Sequence, residues 1–236
     1  IYIVAGPDFG KPKKYIEKMD ENYKRLFVAK VKSTYRSPLE KGDHPEMDTS
    51  DFLGDSDTQL YQPLVGSLHW ALSLSRFDIA TAVMTLSSFR VAPRVGHLER
   101  AKRVVCYLAQ FSHAKLRFRT LEPDYSSIPD NTYDWAHSVY GDIEEDIPEE
   151  DIPSDIPTPL GKFVRITHYV DANLYHDMLT GRSVTGILDF LNQTPIEWYS
   201  KKQATVETAT YGSEFVASRT CMERDIDLRT LLRYLG

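Results

Sequence analysis

Cysteine is scarce in this chain, and long apolar runs are missing. Only Cys106 and Cys221 occur in 236 residues, too few for a disulfide framework or a zinc cluster. Both fall in helix-like stretches, where the expected role is that of a small buried hydrophobe. A reducing, intracellular compartment fits. No stretch is apolar for long enough to span a bilayer. No basic n-region is followed by an apolar run and a small-residue cleavage site, so nothing points to secretion. An initiating methionine is also missing. The chain begins at Ile1, as expected of a fragment, a processed product or a partial reading frame.

What is present is an ordinary globular composition, 42% hydrophobic and 26% charged. The length allows one large domain or two small ones. The net charge of −6 is a local effect. Residues 141–157 (GDIEEDIPEEDIPSDIP) carry eight acids and no Lys or Arg, and without them the rest stands at +2. A mildly basic body permits nucleic-acid binding without arguing strongly for it.

Periodicity divides the chain into three. Residues 12–27 read as an amphipathic helix, with Tyr15, Ile16, Met19, Tyr23, Leu26 and Phe27 at helical spacing. Residues 33–56, rich in Ser, Pro, Gly and Asp, read as an irregular connection. A helix capped by Asp57 or Thr58 then runs to about Ser75, with Leu60, Leu64, Leu68 and Leu72 at steps of four. Pro63 is tolerated early in it or marks its true start. Residues 77–90 form a mostly apolar second helix that Pro93 ends. Residues 96–111 form a third, with Leu98, Ala101, Val105 and Leu108 inward and Glu99, Arg100, Lys102 and Arg103 solvated. Residues 115–119 alternate like a short strand.

From 122 to 160 prolines, acids and scattered aromatics resist a packed core, and the segment reads as a solvated linker. A tail that binds a basic partner is the alternative. Strand periodicity then begins. Residues 163–171, 183–191 and 196–200 are strand candidates, with a turn at 192–195, and residues 208–235 read as one long helix. Phe215, Met222 and Ile226 share one face of it. Trp198, Phe190 and Leu188 are core candidates. Three strands in a meander followed by a helix make an α+β unit.

Several segments in order resemble a known family. They are TQLYQPLVGSLHWALSLSRFDIATAVMTLSSF (58–89), VAPRVGHLERAKRVVCYLAQF (91–111), HYVDANLYHD (168–177), TGRSVTGILDFL (180–191), PIEWYSKKQATVETATYGSEFVA (195–217) and LRTLLRYLG (228–236). Together they resemble the polyprotein of copia-type LTR retrotransposons. The ordered set, above all PIEWYSKKQ followed by SEFVA, carries the specificity. The resemblance implies a helical reverse-transcriptase tail over 1–121 and the acidic linker over 122–160. Over 161–236 it implies the first part of an RNase H-like domain, a three-stranded antiparallel sheet plus a long helix.

The resemblance also implies roles. Asp171, at a strand end, corresponds to the first catalytic carboxylate, and Glu214, early in the long helix, to the second. The family's third Asp follows the helix on the next strand, a point beyond Gly236. Two departures stand out. Leu174 and Tyr175 replace a Trp that is usual after the first Asp, and Tyr211 and Gly212 stand where Thr and Glu are common. The implied cofactor is Mg²⁺, and the implied partners are an RNA–DNA hybrid and the remainder of the polyprotein. The implied setting is a cytoplasmic virus-like particle or the nucleus, with no membrane.

The chemistry accounts for these residue types. Two Mg²⁺ ions roughly 4 Å apart can activate a water and stabilise the leaving oxygen of a phosphodiester. Mg²⁺ prefers oxygen and takes one or two protein carboxylates. With only Asp171 and Glu214, weak metal binding and little or no activity are expected. Outside the motif, Asp171 would be a strand-end turn residue and Glu214 a helix-start acid that favours the dipole. Lys201, Lys202 and Gln203 are placed to contact a nucleic-acid backbone; a solvated, edge-protecting lysine pair is an equal alternative. His168 and His176 flank Asp171, but their spacing does not favour a zinc site on a strand, and Mg²⁺ prefers oxygen. Asp177 reads as a turn residue. Tyr169-Val170-Asp171 looks like a polymerase Tyr-x-Asp-Asp motif, but Ala172 replaces its second Asp.

Three functions compete. The favoured one is RNase H-type hydrolysis of RNA in hybrids by the intact parent, with this chain inactive alone. The second is a non-catalytic remnant that binds nucleic acid or protein. The third is a helical interaction module over residues 12–111.

Overall fold

A computed structural model describes residues 13–27, 34–114, 119, 121–126, 153–158, 161 and 163–235. The sequence assignments at 115–118, at 127–152 and at the remaining positions lie outside the described residues.

Four helices form the first half: α1 (Lys13–Phe27), α2 (Asp55–Ser73), α3 (Ala80–Ser87) and α4 (Val95–Gln110). Their apolar spacing sets which faces meet. Ile16, Met19 and Tyr23 of α1 lie one turn apart and are buried, as are Leu64, Leu68 and Leu72 of α2 and Leu98, Ala101, Val105 and Leu108 of α4. These side chains belong to one continuous cluster with α3. Tyr61 shows how a polar tip enters it, its hydroxyl donating 2.7 Å to the carbonyl of Leu86.

The helical half differs from the sequence expectation in three places. The second helix starts at Asp55 behind an N-cap Gly54, eight residues before Pro63, and runs straight through the proline. Pro63 is exposed, so water can solvate the Gln59 carbonyl that loses its donor. Asp55 and Asp57 lie in the first turn and favour the helix dipole without capping it by hydrogen bonds. The third segment splits into a single 3-10 turn at Phe77–Ile79 and the short α3.

The third departure concerns α4. Arg100 and Arg103 are not simply solvated. Arg100 pairs with Asp43 at 2.8 Å and Asp48 at 2.5 Å, and Arg103 pairs with Glu40 at 2.6 Å. Ser50 and Arg100 donate to Asp48; burial alone would raise that carboxyl, but these bonds outweigh it and hold it at about 2. Gly96 sits so close to the Asp48 carboxylate that any Cβ would collide with it. His97 completes the staple. Its Nδ1 takes the Arg94 N–H at 3.0 Å, and its Nε2 lies 2.8 Å from the Pro45 carbonyl. Burial keeps that imidazole below its usual pKa, which favours the neutral tautomer those two bonds require. The irregular segment 34–54 is thereby fastened to α4.

The second half is a meander. Strands β1 (Ile166–Asp177), β2 (Arg182–Leu191) and β3 (Thr194–Lys202) pair antiparallel in the order β1-β2-β3, and α5 (Thr210–Leu235) follows. The fold class is α+β, as the sequence implied. The β2–β3 turn is tighter than residues 192–195. Thr194 and Pro195 already pair with Leu191 and Phe190, and the register shifts beside Pro195, as a strand proline without a donor requires. Asn192 takes the left-handed conformation at φ 54°, which asparagine tolerates. Gly181 closes the β1–β2 turn at φ 67°, where a side chain would be strained and would crowd Tyr175.

The two halves touch. Trp198 packs against the helical cluster from β3. The Met178 N–H donates 3.1 Å to Glu46, at the far end of β1. A cleft of about 610 Å³ lies beside this contact, lined among others by Leu39, Asp43, Thr81, Leu174, Tyr175 and His176.

Candidate functional site

Strand alternation fixes which face each site residue occupies. His168, Val170 and Ala172 of β1 stand opposite Asp189, Ile187 and Thr185 of β2. These residues form the face under α5. The Gln203 amide donates 3.0 Å to the Thr185 hydroxyl and 2.9 Å to the Ser213 carbonyl, so the first turn of α5 sits above Thr185 and Ala172. Small residues of α5, namely Ser213, Ala217 and Cys221, make the contact.

Asp171 falls on the opposite pleat. It stands across from Gly186, whose lack of a side chain leaves its carboxylate uncrowded, and it is exposed. Glu214 is half-buried on α5, next to Ser213. The two acids therefore share a level of the sheet but not a face. The outer edge of β1 is covered by no described strand. Among the described residues, neither carboxylate has a hydrogen-bond or ion-pair partner. Both are free to take a cation or to remain solvated.

The basic triplet is dispersed. Lys201 is exposed. Lys202 is paired with Asp177. Gln203 is 5% exposed, and its amide nitrogen donates to Thr185 and Ser213. Its role is to join the strand end to the helix. Asp177 is a turn residue as expected, its carboxylate accepting from the Leu179 and Thr180 N–H groups. Burial opposes the charge, but Lys202 and Thr180 outweigh burial and hold the carboxyl at about 2.

Sequence reasoning missed the densest polar cluster in this half. His168 Nδ1 lies 2.7 Å from Asp189 and its Nε2 lies 3.0 Å from Asp225. Arg224 reaches Asp189 at 3.2 Å and Glu197 at 2.8 Å. Burial disfavours an imidazolium, yet the two carboxylates prevail and raise the His168 pKa. Cys221 lies in the same place. Among the described residues, His168, Asp189 and Cys221 are the one set of three metal-type ligands whose donor atoms converge, all within 4.8 Å. The sequence sets His168 aside on its spacing from His176; the partners that surround it come from β2 and α5 instead. Spacing along one strand could not show that β2 and α5 would bring it partners. An acid at 189, inside the apolar run Ile187–Leu191, was the available signal.

No family model matches the chain, and no solved structure matches it. Similar proteins do exist. Over 223 residues the chain is 24% identical to the Retrovirus-related Pol polyprotein from transposon TNT 1-94 of Nicotiana tabacum, covering 94% of this chain and 14% of that protein. Over 171 residues it is 27% identical to a transposon Ty5-1 protein of Saccharomyces cerevisiae, covering 71% of this chain and 42% of that one. Over 157 residues it is 26% identical to the Secreted RxLR effector protein 161 of Plasmopara viticola, covering 66% of this chain and 82% of that one. The chain thus spans less than half the length of either transposon protein. The chain is similar to transposon proteins, one of them a Pol polyprotein, in agreement with the copia-type resemblance carried by its motifs. No described helix is long and apolar enough to cross a membrane.

Proposed function

We propose that the chain is the segment of a retrotransposon polyprotein that joins the reverse-transcriptase tail to an RNase H-like nuclease unit. Asp171 and Glu214 would be two of that unit's Mg²⁺ ligands. The observation that supports this is the meander-plus-helix arrangement. It sets two unpartnered carboxylates at one level of the sheet, beside an open strand edge. A further strand on that edge could add a third acid between them.

The fit to Mg²⁺ is incomplete. The donor type is right, since both ligands are hard oxygens with no competing cation. The donor number is not, because no third acid joins them among the described residues. In the intact polyprotein the substrate would be the RNA strand of an RNA–DNA hybrid, and the chemistry would be metal-assisted phosphodiester hydrolysis.

Two measurements test this reading. Mg²⁺ titration followed by NMR should perturb Asp171 and Glu214 together, with weak affinity, and Asp171→Asn should abolish the response at both. Independent responses at the two positions would separate them and end the shared-site reading. Incubation of the chain with a hybrid and Mg²⁺ should give no cleavage. The non-catalytic remnant, the second reading, predicts hybrid or protein binding that Asp171→Asn and Glu214→Gln leave unchanged.

A further inference from the structure

We propose that His168, Asp189 and Cys221 form a site for a zinc-class divalent cation that pins α5 to the sheet. It is separate from the Asp171–Glu214 pair, since His168 lies on the α5 face and Asp171 on the other. Three elements each contribute one donor: β1 an imidazole, β2 a carboxylate and α5 a thiol. A mixed nitrogen, sulfur and oxygen set suits borderline-soft Zn²⁺ and excludes Mg²⁺.

The geometry needs only small adjustment. All three donor atoms lie within 4.8 Å of one another. Zinc bonds of about 2.0–2.3 Å in a tetrahedron place neighbouring donors roughly 3.3–3.7 Å apart. The 2.7 Å gap between His168 Nδ1 and Asp189 must therefore open, and the sulfur must close in. The Asp189 side chain is 1% exposed and the Cys221 residue 6%, so two of the ligands are already withdrawn from water. The outer side is open, with His168 at 18% and Asp225 at 30%. A water can occupy the fourth position there.

The surroundings match a metal-bound histidine. Nε2 of His168 faces the Asp225 carboxylate at 3.0 Å, the arrangement that orients a ligating imidazole through its other nitrogen. In the bound form His168 coordinates through Nδ1 and keeps a proton on Nε2, directed at Asp225. Cys221 gives up its thiol proton. The dication and Arg224 then face the thiolate, Asp189, Asp225 and Glu197, leaving no excess positive charge in the cluster.

Cobalt titration of the full chain tests the proposal, with Co²⁺ as the spectroscopic stand-in for Zn²⁺. The expected result is a sulfur-to-cobalt charge-transfer band and intense tetrahedral d–d bands at one equivalent. Added Zn²⁺ should remove both, and in weak buffer protons should be released as Zn²⁺ binds. Cys221→Ser should abolish the charge-transfer band, Cys106→Ser should leave it intact, and Asp225→Asn should weaken binding by about 10–100-fold. An octahedral cobalt spectrum, or a charge-transfer band lost with Cys106→Ser and kept with Cys221→Ser, would overturn the site. So would the absence of any band from the unmodified chain, a result that needs no variant to fold.

Discussion

In the helical half, nineteen apolar side chains are buried in one cluster spanning α1 to α4. In the sheet half, the described buried apolar residues are Ala172, Ile187, Ala217 and Cys221, and eight polar residues are buried beside them. The outer face of α5 reverses the usual order, with Phe215 62%, Met222 68% and Ile226 57% exposed. One half is held by apolar burial, which is non-directional and tolerant. The other is held by hydrogen bonds and ion pairs, each of which contributes only if its partner is in place. Loss of a methylene should therefore matter most in the first half, and loss of a charge in the second.

The largest expected effect is Leu68→Ala. Leu68 is fully buried at the centre of the helical cluster, and its truncation should cost about 2–5 kcal/mol, measured by urea unfolding. A loss under about 1 kcal/mol would mean that the helical half is loosely packed and would erase the contrast. Asp189→Asn comes next. It keeps the side chain's volume but removes the charge that faces His168 and Arg224. The expected cost is about 1–3 kcal/mol, read by amide exchange along β1 and β2. Unchanged exchange would show that the buried polar network adds nothing to stability.

The same contrast explains what the sequence could show. Helical spacing located all four helices of the first half, because apolar burial leaves a periodic trace: Leu64, Leu68 and Leu72 could be assigned to the core by counting. In the second half the strands and α5 were legible, except that β1 runs on to Asp177 and holds Asp171 mid-strand rather than at a strand end, but the packing of α5 was not. Phe215, Met222 and Ile226 share a face by their spacing, yet that face points outward, and Ser213, Ala217 and Cys221 meet the sheet instead. Small side chains give no hydrophobic signal, so periodicity chose the wrong face. The polar contacts were equally hidden. His168, Asp189 and the α5 pair Cys221 and Asp225 are far apart in sequence, and the buried Gln203 looked like one more solvent-facing polar residue after two lysines. Asp171 and Glu214 could be named from motif order alone, but order says nothing about pleats, and alternation sets them on different faces. Burial of Arg76 against Asp78 and the Phe111 carbonyl was likewise unmarked, because a charge next to an apolar helix start is usually solvated.

Acid should affect both halves, and the two can be resolved. The carboxyls of Asp48 and Asp177 are each held at about 2, against 3.8 for the free side chain. A depressed native value means the stabilisation is fully present above pH 3.8 and disappears as pH falls towards 2. Asp48 fastens segment 34–54 to α4, and Asp177 fastens the β1–β2 turn to Lys202. Amide exchange between pH 4 and 2 should therefore open both regions. Asp48→Asn should remove the pH dependence from the first and leave it in the second, and Asp177→Asn should do the reverse. If either variant flattened both regions, the halves would be coupled through their contact at Glu46 and Trp198.

The smallest effect belongs to the outer face of α5. Met222 is mostly exposed, and nothing described covers it. Met222→Lys should change stability by no more than about 0.5 kcal/mol, the range for surface positions without special contacts. It should also raise the protein concentration at which light scattering first detects self-association, because it interrupts an exposed apolar stripe. A loss of 2 kcal/mol or more would place this side chain inside a packed interface. The sheet half would then possess the apolar core it otherwise lacks, and the contrast with the helical half would be one of location rather than of kind.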